Sequence, residues 1–259
     1  MKIIVPVKQI LDPRGITVRR DKERIFVNRE EFILEAGSKA AIDAALRLKD
    51  SAPAEVIALS AGEQQAEDAL REALAMGCDA AYLLSDEAFE EADISAITRI
   101  LAAAIGRLGG ADLVIAGRQS ADTGAGQVGP RLAEALGYGQ VTDVYTLAVA
   151  DGLLQATRRW GSGYTTVQAP LPAVVTVAAR AFPARYPHGA RIMNAYREWD
   201  VPVWDAAKLG LTDADLRPLL AQRRESFPPP LPVGEKVRGE AASVAEDVVM
   251  SLRLQRLIG

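Results

Sequence analysis

The run Ala116-Gly117-Arg118-Gln119-Ser120-Ala121-Asp122-Thr123-Gly124-Ala125-Gly126-Gln127-Val128-Gly129-Pro130 follows the apolar segment Leu113-Val114-Ile115 and precedes the helical pattern Leu132-Ala133-Glu134-Ala135-Leu136. A strand, a loop of small residues and a helix start make an anion site. Amides at a helix start have no intrahelical partner, and the helix dipole favours negative charge there. Gly124, Ala125 and Gly126 carry no bulk to keep a phosphate away. An ordinary glycine-rich loop capping a helix would have the same composition. The Walker pattern GxxxxGK[ST] and the dinucleotide fingerprint GxGxxG are both absent.

Other chemistry is sparse. One histidine and one cysteine allow no His/Cys metal cluster. Cys78 follows Met76-Gly77, a helix end with a capping glycine, and reads as a small buried thiol. His188, in Tyr186-Pro187-His188-Gly189, reads as an exposed turn. No nucleophile elbow GxSxG is present. The chain does not look equipped for catalysis by its own side chains.

The loop needs elements to hold it, and the chain supplies them. Its 259 residues allow one large or two small domains. With 25% charged and 49% hydrophobic residues it has an ordinary globular composition. A net charge of −4 gives no basic footprint for nucleic acid. No run approaches 18 apolar residues, so no membrane span is expected. The start runs straight into Ile3-Ile4-Val5 behind Lys2, with no secretory pattern, and a single cysteine suits a cytoplasmic chain.

Strands are expected over 2–7, 55–60, 80–84 and 113–116. Helices are expected over 39–50 with Ser38 as N-cap, over 63–76, from Asp93 or Ser95 to about 108, and over 126–136. Residues 16–34 read as a hairpin or irregular excursion. This alternation argues for a mostly parallel α/β sheet, doubly wound, with helices on both faces. Ligands then bind beyond the strands' carboxyl ends, at 6–8, 60–62 or 117–126. After Gly137 the period changes to antiparallel strands over 141–149, 153–159 and 164–167, then a core strand over 171–177. Residues 182–190 read as a surface loop. From about Trp204 the pattern loosens, through the polyproline-like Phe227–Pro232, to a helix over 243–257. Such an arm either folds back on its own domain or wraps a partner.

The 116–130 run, taken with several others, resembles the beta subunit of electron transfer flavoproteins. The others are Ile4-Val5-Pro6-Val7-Lys8-Gln9-Ile10, Ala44–Lys49, Ala73–Asp79, Pro170–Val177, Arg185-Tyr186-Pro187, Arg191-Ile192-Met193 and Trp204–Leu211. The resemblance covers nearly the whole chain in order. It implies an adenine-nucleotide alpha-hydrolase-like α/β domain over 1–203, with an antiparallel extension, and an arm and helix over 204–259 that pack on a partner. That partner would be an alpha subunit carrying the electron-transferring FAD. This chain would hold AMP, or in flavin-bifurcating members a second FAD that accepts hydride from NADH. The nucleotide would contact Pro6, Val7, Lys8, Ala61, Gly117, Arg118, Gln119 and 122–130. That last stretch is Asp122, Thr123, Gly124, Ala125, Gly126, Gln127, Val128, Gly129 and Pro130. Phosphate would sit on the amides of 125–129, with charge-assisted contacts from Arg118. Arg118-Gln119 and Gln127–Pro130 look more like the bifurcating branch.

Several positions depart from the family pattern. Glu35-Ala36-Gly37-Ser38 replaces the usual Asn-Pro-x-Asp; an ionised Glu35 cannot donate, and toward a phosphate it would oppose binding. Gly124 stands in place of a second acidic residue. Arg158, Arg159 and Trp160 stand where carboxylates are usual. The docking segment for a dehydrogenase or other redox protein reads Pro187, His188, Gly189, Ala190, with Gly189 at the place of a leucine anchor. Losing that anchor implies a different redox partner or a weaker docking mode.

Overall fold

The computed structural model describes residues 1–220, 226–229, 234 and 236–258. Strand β1 (Lys2–Pro6) opens the chain and is followed by the short strands β2 (Gln9–Leu11), β3 (Ile16–Arg19), β4 (Arg24–Val27) and β5 (Phe32–Leu34). Helices and strands then alternate as α1 (Ala36–Ser51), β6 (Glu55–Ala61), α2 (Glu67–Met76), β7 (Ala80–Leu84), α3 (Ile94–Arg107), β8 (Leu113–Gly117) and α4 (Val128–Leu136). Next come β9 (Gly139–Ala150), β10 (Leu153–Trp160), β11 (Gly163–Pro170) and β12 (Ala173–Val177). The remaining elements are α5 (Gly189–Arg197), β13 (Val203–Trp204), α6 (Ala206–Leu209), α7 (Asp213–Leu216) and α8 (Ala241–Leu254).

The main sheet has nine strands in the order β11-β10-β9-β12-β8-β1-β6-β7-β13. The pairs from β9 to β13 are parallel, and β9, β10 and β11 pair antiparallel. The central parallel strands β1, β6, β8 and β12 are buried on both faces, and their sequences are apolar without alternation, whereas β10 and β11 alternate and leave one face to solvent. In β1, Ile3 and Val5 pack with α1 and α2, while Ile4 points to the opposite face with Ile100, Ile105 and Leu132 of α3 and α4. The α/β architecture, the helices on both faces and the antiparallel extension are as the sequence led us to expect. Residues 16–34 supply the β3–β4 hairpin and β5, which pairs with β2.

Some boundaries differ, each for a local reason. Helix α1 begins at Ala36 with Glu35 as its N-cap, not at 39 under Ser38. The Ser38 hydroxyl instead accepts the Lys8 amide at 3.0 Å. Residues Gln64–Ala66 form a 3-10 turn before α2. Helix α4 starts at Val128 rather than 126, because Gly126 adopts φ 63°, the left-handed region no right-handed helix uses. The surface loop expected over 182–190 ends at His188, which caps α5, a helix absent from the sequence reading; its Nδ1 accepts the Ala190 amide at 3.3 Å.

The pattern does not loosen at 204. Trp204 is buried, and β13 pairs with β7. The chain divides into two compact units, Met1–Gln222 and Arg223–Gly259, so the first unit runs past the boundary expected at 203. In the second unit, α8 has no buried residue, and Met250 and Leu254 are exposed. The polyproline-like reading of Phe227–Pro232 lies in part outside the described residues.

Candidate functional site

The carboxyl ends of β1, β6 and β8 converge on a cleft of about 410 Å³. Hydrogen bonds across the sheet fix its floor. The Val7 amide donates to the Leu59 carbonyl at 2.8 Å, and the Arg118 amide donates to the Val177 carbonyl at 2.9 Å. Pro6, Val7, Lys8, Ala61, Gly117, Arg118, Gln119, Thr123, Ala125, Gly126, Gln127 and Val128 line the cleft. Twelve of the sixteen residues singled out in the sequence are thus brought together.

Asp122, Gly124, Gly129 and Pro130 do not line it, and each has another placement. Asp122 reaches back to β1, where its Oδ2 accepts from Lys8 Nζ at 2.5 Å. Burial alone would raise its pKa, but bonds from Lys8, Ser120 and Thr123 outweigh that and hold the carboxyl below its usual range. Gly124 closes a turn through its amide to the Ser120 carbonyl at 2.9 Å. Gly129 serves packing: a Cβ there would lie 2.2 Å from Thr176 Cγ2, so its absence lets α4 approach β12. Pro130 lies in the first turn of α4 and has no amide to offer.

The loop's conformation suits an anion. Gly124 (φ 60°) and Gly126 (φ 63°) take the left-handed backbone that an anion-binding turn uses at alternate positions. Gln127 gives α4 no side-chain cap; its Oε1 accepts from Arg131 Nε at 2.9 Å. The amides at the start of α4 therefore stand open beside the loop.

Glu35 is buried, lines the cleft, and turns one oxygen away from any ligand. Its Oε2 accepts the Ser38 amide at 2.9 Å at the N-terminus of α1, where the dipole favours a carboxylate. Gly37 and Gly117 let the two segments touch, since a Cβ on Gly117 would lie 2.8 Å from the Gly37 carbonyl carbon. The sequence also gave no warning of the apolar wall formed by Ala92, Ile94, Ile97 and Leu101 at the start of α3. Their helical spacing is that of an ordinary core face.

Pro187, His188, Gly189 and Ala190 lie elsewhere. Pro187 lines a separate cavity of about 540 Å³ between β5, α2 and α5, and Gly189 and Ala190 form the exposed first turn of α5. The neighbouring arginines tie this segment down. Arg185 donates to Asp43 at 3.0 Å and Asp50 at 2.9 Å, and Arg191 donates to the terminal carbonyls of α2 at Leu74 and Ala75. Cys78 is fully buried, which pushes its thiol up to about 12 and removes it as a nucleophile. Among the described residues no three His, Cys, Asp or Glu side chains group as metal ligands, and no helix is long and apolar enough to cross a membrane.

A family model of the electron transfer flavoprotein domain matches residues 24–209. The chain is 35% identical to the CarD subunit of the caffeyl-CoA reductase-Etf complex of Acetobacterium woodii, over the whole of both chains. It is 37% identical to an electron transfer flavoprotein subunit beta of Clostridium acetobutylicum, over 83% of each. It is 32% identical to the acryloyl-CoA reductase electron transfer subunit gamma of Anaerotignum propionicum, again over the whole of both. With its α/β fold and this match along most of its length, the chain belongs to the electron transfer flavoprotein family as a beta-type electron-transfer subunit.

Proposed function

We propose that this subunit holds an adenine nucleotide, AMP or FAD, in the cleft at the carboxyl ends of β1, β6 and β8. The carrying observation is the cleft itself. About 410 Å³ lies within the roughly 300–1,000 Å³ of small-molecule sites. One side offers the amides of 125–128 and the Arg118 guanidinium to phosphate; the other offers the apolar wall of α3 to a flat ring. Glu35 spends Oε2 on the Ser38 amide and keeps Oε1 to accept from a ribose hydroxyl.

The subunit pairs with an alpha-type subunit carrying FAD, and α8 supplies an apolar surface for that partner. A lone 14-residue helix without buried contacts is marginal in water, so a covering partner stabilises it. A dehydrogenase or reductase exchanges electrons with the complex, through a docking mode that lacks a leucine at Gly189. Flavin supplies the electron chemistry when bound, while this chain's residues bind, orient and exclude water. It works in the cytoplasm as an electron carrier.

A second reading has FAD rather than AMP in this chain, within a complex that oxidises NADH. It is favoured by a further cavity of about 650 Å³, which shares Lys8, Ala61, Ala92 and Ile97 with the cleft and gives room beyond a mononucleotide. The nucleotide reading is tested by Gly126→Leu, which is expected to expel the nucleotide from a folded chain; unchanged nucleotide content overturns it.

A further inference from the structure

Strand β9 serves two partners. Residues up to Val144 pair with β12, and residues from Val144 onward pair with β10. Val141 faces Val175 and Val144 faces Val177, so Thr142 and Asp143 together oppose the single residue Thr176. This is a β-bulge, a device that re-aims a side chain. Asp143 takes φ 56°, and its amide donates to Thr176 Oγ1 at 3.1 Å. The other branch of Thr176, Cγ2, fills the space left by Gly129 at the start of α4. The bulge is thereby keyed to the helix that borders the cleft.

The carboxylate of Asp143 does not line the cleft, and no described residue donates a hydrogen bond to its buried Oδ1. The cation nearest that oxygen is Arg118, whose Nε lies 3.6 Å away. Arg118 lines the cleft, and its terminal NH2 groups make no hydrogen bond to any described residue. A carboxylate on the Nε edge leaves the forked end of a guanidinium for a second anion.

We propose that Asp143 is a positioning residue: it holds Arg118 by its Nε edge so that the guanidinium is already aimed when phosphate enters the cleft. This rests on the nucleotide reading above. An arginine ordered in advance loses less freedom on binding, and that gain exceeds the repulsion between Asp143 and phosphate because the guanidinium lies between them. Asn tolerates the left-handed backbone of this bulge, so Asp143→Asn removes the charge and keeps the turn.

The test is calorimetric titration of the full-length, nucleotide-stripped chain with AMP and, separately, with FAD. Asp143→Asn is expected to weaken binding about 2- to 12-fold, the cost of ordering one long side chain. Arg118→Lys, which lacks Nε and leaves the bulge untouched, is expected to lose at least as much. Asp143→Asn added to Arg118→Lys is expected to change nothing further. A purely structural role would instead weaken binding by the same factor in both backgrounds. That result overturns the proposal, as does wild-type affinity or tighter binding in either single variant. Wild-type chain that binds neither nucleotide overturns the nucleotide reading together with this one; normal wild-type binding with an inert Asp143→Asn overturns this one alone.

Discussion

Gly126→Leu separates site from scaffold. Gly126 lies in the loop at φ 63°, and an ideal Cβ there would have the Arg118 carbonyl oxygen at 3.4 Å as its nearest neighbour. The methyl is therefore tolerated by space but strained by backbone. A left-handed conformation costs a non-glycine residue about 1–2 kcal/mol. For a chain of this length that lowers Tm by about 2–8 °C, at roughly 2–4 °C per kcal/mol. Gly126→Ala pays the same backbone cost with far less bulk. Beyond Cβ, a leucine must extend over amides proposed to receive phosphate. Losing one hydrogen bond to a charged group costs about 1.5–3 kcal/mol, or about 10- to 150-fold in affinity. Thermal unfolding and released-nucleotide assays on wild type and both variants read the two effects separately. Because bound nucleotide itself raises Tm, equal Tm values are expected for the nucleotide-stripped Ala and Leu variants, with nucleotide lost chiefly from the Leu variant in the unstripped protein. Full nucleotide content in Gly126→Leu would refute the site, and a cooperative unfolding transition lost in Gly126→Ala would refute the strain estimate.

Gly129→Ala is expected to cost about 1–3 kcal/mol by overpacking against Thr176, and Thr176→Ser, which deletes only the clashing methyl, is expected to restore most of it in denaturant unfolding. A neutral Gly129→Ala would show that α4 does not need this close approach. The Lys8–Asp122 pair carries a pH signature. Asp122 is depressed in the folded chain, so its contribution is present in full above its unfolded value near 3.8 and lost as pH falls through the lower folded value. Asp122→Asn is expected to be less stable by under about 1 kcal/mol, as for exposed pairs, from pH 7 to 4.5, with the gap closing in stronger acid. A gap that closes between pH 7 and 5 would assign the effect to another group.

Much of the cleft was legible because it is built from short-range signals. The apolar runs ending at Pro6, Ala61 and Gly117 carry the strand period, and Gly124, Ala125 and Gly126 mark the loop. What stayed hidden depends on contacts between distant segments. Ser38 is a better capping type than Glu35, yet the Lys8 amide claims its hydroxyl, and Glu35 caps α1 instead. Ile94, Ile97 and Leu101 show the spacing of any buried helix face, and only the sheet's geometry places them beside a cleft. Trp204 belongs to the main sheet through a two-residue strand too short to announce itself. Gly129 fits a phosphate loop by composition, whereas its neighbour Thr176 shows that it makes room for packing.

The most direct measurement is a count of nucleotides released from the denatured complex of this chain with its alpha-type partner. The account predicts two adenine nucleotides per heterodimer: one FAD with one AMP, or two FAD. A complex that releases only a single FAD would contradict it, because the cleft at 117–128 would then hold nothing.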